Sequence, residues 1–254
     1  MPARYTIISA DTHAGGSHAQ YREYLESKYL EDFDAWRGRY KNPYKDLGDY
    51  RRLRNWDNEI RCPAQLQDGV VGEVIFPNTI PPFFPSFVLS APPPKPGDYE
   101  HRLAGIRAHN RWLVDFCREA PVRRRGIVQL LPNDVDVAVA EVRWAADTGN
   151  VAGVMLPAVP ANHEVSPYFD RRYDPLWAAC VDTGLPVHQH QGTGAPDVGP
   201  DPVAFTIFFT ELELWTKRTL HHLIVGACSS ATRTCRWCGR RCGACAGWSR
   251  SSRR

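Results

Sequence analysis

Apolar runs with the spacing of strands alternate with helix-like segments along most of the chain. The pattern predicts strands at residues 5–10, 70–76, 126–131, 151–156 and 185–190. It predicts helices at residues 98–119, 134–147, 175–183 and 205–225, and two further helical stretches between residues 21 and 67. Strands that alternate with helices in this way form a parallel sheet covered by helices, either an open doubly wound sheet or a closed barrel.

Polar residues at the ends of the predicted strands favour the barrel. Asp11, His13, Asn78 and His190 each lie at the C-terminal end of a strand. This is the end at which (β/α)8 barrels build their active sites. We therefore predict an α/β fold of the (β/α)8 TIM-barrel type, incomplete, with about five βα units.

Three of these residues could bind a metal ion. Asp11 and His13 are two positions apart on one strand end, so their side chains point to the same side, and His190 ends a later strand. One carboxylate and two imidazoles are a common ligand set for zinc or a similar divalent ion, with positions left for water. The pattern alone leaves a structural interpretation equally open, in which Asp11 caps a turn and the histidines are hydrogen-bonded loop or core residues.

Other histidines and loop aromatics are interpreted as structural. We expect three histidines that fall in helices or loops to be solvated: His101, His109 and His163. Three aromatic residues of a proline-rich loop are interpreted as local packing, with the floor of a substrate pocket as the alternative: Phe83, Phe84 and Phe87. Residues 192–194, Gly-Thr-Gly, lack the third glycine of a dinucleotide fingerprint, so no nucleotide cofactor is predicted.

Six short motifs follow one another in order within residues 5–226. They are Asp11-Thr12-His13, Asp68-Gly69-Val70, Asn110-Arg111-Trp112-Leu113, Gly153-Val154-Met155-Leu156-Pro157, Tyr173-Asp174-Pro175-Leu176-Trp177 and Gly184-Leu185-Pro186-Val187. In this order they resemble the amidohydrolase-related family that includes the aminocarboxymuconate-semialdehyde decarboxylase type. The ordered series is far more specific than any one of its motifs.

The resemblance implies a barrel that holds one divalent metal ion, most often zinc, and that hydrolyses or non-oxidatively decarboxylates a small carboxylated, amide or lactone substrate. It implies that Asp11 and His13 are the strand 1 ligands and that His190 is the strand 5 ligand. His188 is then expected to bind substrate or to support the ligands, and a packed, hydrogen-bonded structural histidine is the equal alternative. Many members carry histidine where this chain has Asp11. The catalytic aspartate of strand 8 has no counterpart here, so no catalytic residue is assigned.

The composition changes abruptly after residue 226. Residues 227–254 contain seven arginines, five cysteines and no acidic residue, which is typical of GC-rich codons read out of frame. Regrouping the bases of residues 226–235 by one position can encode Gly-Val-Phe-Glu-Arg-His-Pro-Asp-Leu, a continuation that resembles the family. We therefore expect a partial barrel over 1–226, an out-of-frame, disordered tail over 227–254, and activity impaired by the loss of strands 6 to 8.

The tail also suggests an alternative function. Four of its cysteines form two Cys-x-x-Cys pairs, which is the ligand pattern of a four-thiolate zinc site: Cys235, Cys238, Cys242 and Cys245. Only three residues separate the pairs, against about a dozen or more in known zinc modules. The alternative is a non-catalytic remnant or interaction protein with a zinc-binding tail.

Charge and hydropathy limit the classes of partner that the sequence predicts. The formal net charge is +3, but outside the tail 24 basic residues stand against 28 acidic ones, so no nucleic-acid partner is predicted. No apolar run is long enough to cross a membrane, and the start of the chain has no apolar signal segment. We expect a cytoplasmic protein with a small-molecule substrate and no membrane partner; a homo-oligomer is compatible with this composition.

Overall fold

Six parallel strands form one sheet in the computed structural model, which describes residues 5–39, 53–85, 91–160, 163, 165–190, 199, 201–225 and 237–239. The strands are β1 (Ile7–Ala14), β2 (Val70–Pro77), β3 (Arg124–Gln129), β4 (Val151–Met155), β5 (Val187–Gln189) and β6 (Trp237–Gly239). The helices are α1 (His18–Glu23), α2 (Leu30–Arg39), α3 (Asn58–Gln67), α4 (Tyr99–Arg118), α5 (Val135–Asp147), α6 (Asp174–Thr183) and α7 (Pro202–Val225). Single 3-10 turns occur at Ser27–Tyr29, Pro96–Asp98 and Arg171–Tyr173.

The strand order decides between the two predicted architectures. Each strand pairs in parallel with the next one along the chain, in the order β1-β2-β3-β4-β5-β6. A doubly wound sheet would reverse its order at a switch point, and this sheet does not. Crossovers of one hand that always advance in the same direction put the helices on one face and leave the other face as a barrel interior. The predicted incomplete (β/α)8-type fold is confirmed.

Local signals explain two of the element boundaries. Asp134 caps α5 by accepting the Val137 amide, and Gly184 ends α6 in the left-handed conformation that glycine adopts without strain. The first strand differs from its prediction. It continues past Asp11 to Ala14 because, after an irregularity between Ser9 and Thr12, its last residues resume pairing with β2.

The two faces of the sheet build different cores. Toward the helices, Val128, Val154 and Val187 pack with Trp177 and other residues of α5 and α6. Toward the barrel interior, Phe76, Ile127 and Met155 form a second cluster that the loop residues Ile80 and Phe84 cover. This alternation is the period of two that a strand imposes.

Part of the inner face is open to solvent. Ile8 of β1 lies beside Gly72 on the inner face and is 66% exposed. In the part of the chain that the structure describes, β1 has a strand partner on one edge only. Helix α7 likewise exposes large apolar side chains: Val203, Ile207, Phe209, Leu214, Ile224 and Val225. No described helix combines the length and the apolar character that a membrane span needs.

The sixth strand was not predicted. Trp237–Gly239 pairs in parallel with β5, where strand 6 of a barrel belongs. These three residues are the part of the 227–254 tail that the structure describes. The out-of-frame origin and disorder of this tail stay predictions.

Candidate metal centre

Asp11, His13 and His190 converge at the C-terminal end of the sheet. One ligand atom from each lies within 4.8 Å of the others. The Asp11 Oδ1 atom is 3.7 Å from His13 Nε2 and 3.5 Å from His190 Nε2. The two imidazole rings are nearly perpendicular, with centroids 5.1 Å apart. Strands β1 and β5 are not neighbours in the sheet, so the curl of the barrel brings these side chains together.

The spacing of these atoms fits a metal ion. In a tetrahedral site with bonds of about 2.1 Å, two ligand atoms lie roughly 3.4 Å apart. The two distances from Asp11 Oδ1, 3.5 and 3.7 Å, are close to that separation. The side chains are 14–29% exposed, so an ion and a water molecule can reach them.

The hydrogen bonds of His13 determine which ring nitrogen is available to a metal. His13 Nδ1 lies 3.1 Å from the Pro77 carbonyl oxygen at the end of β2. A carbonyl oxygen can only accept, so Nδ1 carries the proton, and Nε2, the ring nitrogen nearer to Asp11, is the one that can bind a metal ion. Donation from the second ring nitrogen to a carbonyl is the usual arrangement for metal-ligating histidines.

A buried ion cluster lies against the same end of β1. Glu73 of β2 accepts hydrogen bonds from Arg61 of α3, at 3.0 and 2.5 Å, and from Arg124 of β3 at 2.9 Å. Gln65 donates a further bond at 2.6 Å. Burial alone would raise the pKa of Glu73, but hydrogen bonds from Arg61 and Thr12 and the positive charges of Arg61 and Arg124 hold it below its ordinary value.

His188 lies close to this centre but is not one of its three converging groups. It is 6% exposed, and its ring packs edge-on against Phe76 at 5.8 Å. The same Phe76 ring contacts His190 at 5.1 Å. Gly153 of β4 makes room for His188, since a Cβ at Gly153 would lie 2.5 Å from two atoms of the imidazole. The predicted role of His188 in binding substrate or supporting the ligands stays a prediction.

The expectation that His109 is solvated was wrong. His109 is fully buried in α4, and its Nδ1 lies 2.8 Å from the Tyr21 hydroxyl. Burial lowers its pKa to about 3, so it is neutral in the folded protein at pH 7. The signal was in the sequence, because His109 is three residues after Ile106 and three before Trp112, on the apolar face of α4.

The other histidines and the loop aromatics differ in how far they are buried. His101 is 40% exposed and contacts Asp32 at 2.9 Å, whereas half-buried His163 hydrogen-bonds the Pro93 carbonyl. Phe87 lies outside the described residues. Phe83 and Phe84 pack as expected and also line a cavity of about 470 Å³, together with Trp36, Arg39, Pro85, Asp98 and Arg102.

A second cavity, of about 340 Å³, lies between the loops that follow β3 and β4. Its lining includes Tyr99, Asn133 and Arg172. Neither cavity is lined by the three converging side chains. The candidate metal centre is therefore identified by its converging donor atoms and not by either cavity.

A comparison with known families identifies the family of the chain. A family model described as amidohydrolase matches residues 77–228. The match covers more than half of the 254 residues, so the chain belongs to the amidohydrolase family.

Solved structures with a similar fold include an amidohydrolase and two decarboxylases. An amidohydrolase from Mycobacterium avium subsp. paratuberculosis K-10 superposes with a TM-score of 0.66 at 16% identity, over 93% of this chain and 73% of the other. A 5-carboxyvanillate decarboxylase from Novosphingobium aromaticivorans DSM 12444, solved with manganese and a nitrobenzoic acid, gives 0.65 at 19%, over 92% and 65%. The 2,6-dihydroxybenzoate decarboxylase from Rhizobium gives 0.56 at 14%, over 92% and 65%.

The chain spans about two thirds to three quarters of the length of these solved proteins. At such low identity the likeness concerns the fold. No curated protein matches the chain.

Proposed function

We propose that the chain forms the metal-binding part of an amidohydrolase-type enzyme, with Asp11, His13 and His190 as the ligands of one divalent ion. The substrate class is a small carboxylated, amide or lactone compound, and the reaction is hydrolysis or non-oxidative decarboxylation. The observation that carries the proposal is the convergence of one carboxylate and two imidazoles to within 4.8 Å at the C-terminal end of the sheet.

The donor set suits more than one metal. Imidazole and carboxylate ligands accept zinc, and carboxylate ligands also accept manganese, the ion present in the structure of 5-carboxyvanillate decarboxylase. We propose zinc and manganese as the ions to compare. Such an ion would act as a Lewis acid that polarises the substrate or activates a water molecule.

The chain's own residues would bind and orient this ion. Asp11 supplies negative charge against a divalent cation, and His13 presents Nε2 because Pro77 holds its Nδ1 proton. His190 faces Asp11 from the other side of the barrel interior. The two decarboxylases among the similar structures support hydroxylated aromatic carboxylates as the first substrates to test.

We further propose that turnover by this 254-residue chain is well below the roughly 1–1000 s⁻¹ typical of enzymes. The described sheet leaves the inner residue Ile8 exposed and one edge of β1 without a strand partner. Substrate pockets on this fold are completed by loops around the whole ring of strands. A cytoplasmic location also stays a prediction.

Metal content and reaction products test the proposal together. The purified chain is loaded with Zn²⁺ or Mn²⁺, dialysed, and analysed by elemental mass spectrometry beside His13→Ala and His190→Ala. We expect about one ion per chain in the parent and a large loss in both variants. His221→Ala, an exposed histidine of α7, is the matched control and should retain the ion.

The same samples separate the alternatives. Carbon dioxide release from hydroxybenzoates indicates decarboxylation, and product acids or amines from amides and lactones indicate hydrolysis. If the ion persists in both histidine variants and is lost when Cys235 and Cys238 become serine, the metal belongs to the tail and the proposal is wrong.

A further inference from the structure

Arg61 connects the buried ion cluster to the strand that carries the candidate ligands. Its side chain is 7% exposed. Nε and Nη2 bind the carboxylate of Glu73, while Nη1 donates to two main-chain carbonyls, those of His13 at 3.0 Å and Arg54 at 2.9 Å. One guanidinium therefore bridges β2, the end of β1 and the segment before α3.

The planar shape of arginine makes this bridge possible. Its fixed fork of N–H groups can satisfy a carboxylate on one side and carbonyl oxygens on the other, whereas the point charge of lysine cannot do both. Glu73 binds the fork directly, and Gln65 donates to the same Glu73 oxygen that accepts from Nη2. The orientation of Arg61 is thus set by buried groups that do not touch the candidate metal centre.

The atom that Arg61 holds belongs to a candidate ligand. His13 is tied at its ring, through Nδ1 and Pro77, and at its main chain, through its carbonyl and Arg61. The neighbouring Gly15 amide donates to the Asn55 carbonyl at 3.2 Å. The segment around Arg54 and Asn55 is therefore connected to the end of β1 at two points, through Arg61 at His13 and directly at Gly15.

We propose that Arg61 is a positioning residue of the metal centre, which holds His13 in its ligating geometry by hydrogen-bonding the main-chain carbonyl of that residue. The inference rests on the proposed function in one respect, that His13 is a metal ligand. It adds a residue that the sequence motifs do not indicate and that does not contact the ion. Its effect passes through the backbone of β1.

Arg124 offers a matched comparison within the same cluster. It donates to the same Glu73 oxygen at 2.9 Å and is 1% exposed. Its other contacts are with Asn58, Cys62 and the Phe116 carbonyl, on the helix side of the sheet. Loss of Arg124 therefore disturbs the ion cluster without removing a bond to β1.

The test compares Arg61→Lys and Arg61→Met with Arg124→Lys and Arg124→Met. Manganese affinity is measured by titration, and stability by urea unfolding. We expect both Arg61 variants to weaken manganese binding by about 10- to 100-fold, the range found when groups that support metal ligands are removed, with Lys the milder change. The Arg124 variants should stay within about threefold of the parent at a similar loss of stability.

Hydrogen exchange of residues 11–16 gives a readout that needs no metal. Exchange there should be faster in the Arg61 variants than in the Arg124 variants. If a methionine variant does not fold cooperatively, the two lysine variants decide the comparison. Equal effects of the Arg61 and Arg124 changes on affinity and on exchange would overturn the inference.

The two proposals fail in different ways. If the parent binds no manganese that depends on His13 and His190, the proposed function is wrong. Exchange of residues 11–16 then decides the inference alone, and equal rates in the two sets of variants show that Arg61 does not hold β1. Manganese binding that depends on His13 but is unaffected by either Arg61 change contradicts the inference and leaves the proposed function standing.

Discussion

The two strand ends that supply the candidate ligands are held by different forces. At the end of β1, the His13 carbonyl and ring are fixed by hydrogen bonds to Arg61 and Pro77, backed by the buried charge of Glu73. At the end of β5, Val187 packs in an apolar core and His188 fits into space left by Gly153. Hydrogen bonds to a buried ion cluster help to hold the end of β1, and close packing helps to hold β5.

The position of each strand explains the difference. In the described sheet β1 is an edge strand, and its Asp11 and His13 side chains remain 27–29% exposed. A strand with one partner gains less from packing, so directional bonds to a buried ion cluster compensate. Strand β5 lies between β4 and β6 and is buried along its length, so close packing contributes more to its position than to that of β1.

Glu73→Gln, which disrupts the ion cluster beside β1, is expected to have the largest effect on stability. The change leaves two buried arginines without a full counter-charge, which typically costs about 3–5 kcal/mol. We expect the free energy of unfolding, measured in urea at pH 7, to fall by that amount. A loss below about 1 kcal/mol would show that the ion cluster does not stabilise the β1 side.

The stability of the same variant should depend on pH differently from that of the parent. The pKa of Glu73 is lower in the folded protein than in the unfolded chain, so its stabilisation is present above the unfolded value of about 4.3 and is lost as the pH falls through the folded value. Glu73→Gln should remove this part of the acid destabilisation. Parallel acid-unfolding curves for the parent and the variant would contradict the account.

Gly153→Ala tests the packing of His188 against β4, and its expected effect on stability is smaller. The new Cβ would lie 2.5 Å from the His188 ring and 2.6 Å from the Pro186 carbonyl oxygen, which belongs to the backbone and yields little. Overpacking of this kind costs about 1–3 kcal/mol. It should also weaken metal binding through His190, two residues beyond the displaced ring.

Gly38→Ala is the matched control for this change. Gly38 lies in α2, and a Cβ there meets no atom within 4 Å. Alanine is the better helix former by about 1 kcal/mol, so this variant should be as stable as the parent or more stable. Equal destabilisation by Gly153→Ala and Gly38→Ala would show that the close packing of His188 against Gly153 does not stabilise β5.

The smallest expected effect concerns buried His109, behind the β1 side. Its folded pKa, about 3, lies below the unfolded value of about 6.5, so the folded state binds fewer protons and stability falls as the pH drops between these values. This loss amounts to about 1 kcal/mol by pH 5.5. His109→Gln, which does not titrate, should flatten the dependence of the melting temperature on pH in this window.

The corresponding control is His221→Gln, at an exposed position of α7. It should retain the slope of the parent. A His109→Gln variant whose melting temperature falls as steeply with pH as that of the parent would show that His109 is not buried in its neutral form.

The sequence predicted the parts of this molecule that depend on local periodicity. Helix α4 was predicted at 98–119 and is observed at Tyr99–Arg118, and the β4 and α5 boundaries agree equally closely. Strand ends carry polar residues for a topological reason, so the positions of Asp11, His13 and His190 could be predicted as well. Their mutual approach needed the curl of the sheet.

The ion cluster could not be predicted, because its members are far apart in sequence. Glu73 lies 12 residues from Arg61 and 51 from Arg124. Within β2, Glu73 reads as a solvent-facing residue of an alternating strand, and only the packing of α3 and α4 against that face buries it. Strand β6 was missed for another reason, since Trp237–Gly239 lies in a segment whose composition carries no strand signal.

The most direct test of the central claim is the location of a bound ion. Crystals of the chain grown with Zn²⁺ and measured at the zinc absorption edge would show the ion as an anomalous difference peak. The account predicts one peak at about 2.0–2.2 Å from Asp11 Oδ1, His13 Nε2 and His190 Nε2. A fully occupied zinc ion on the tail cysteines, with no peak between these three side chains, would contradict it.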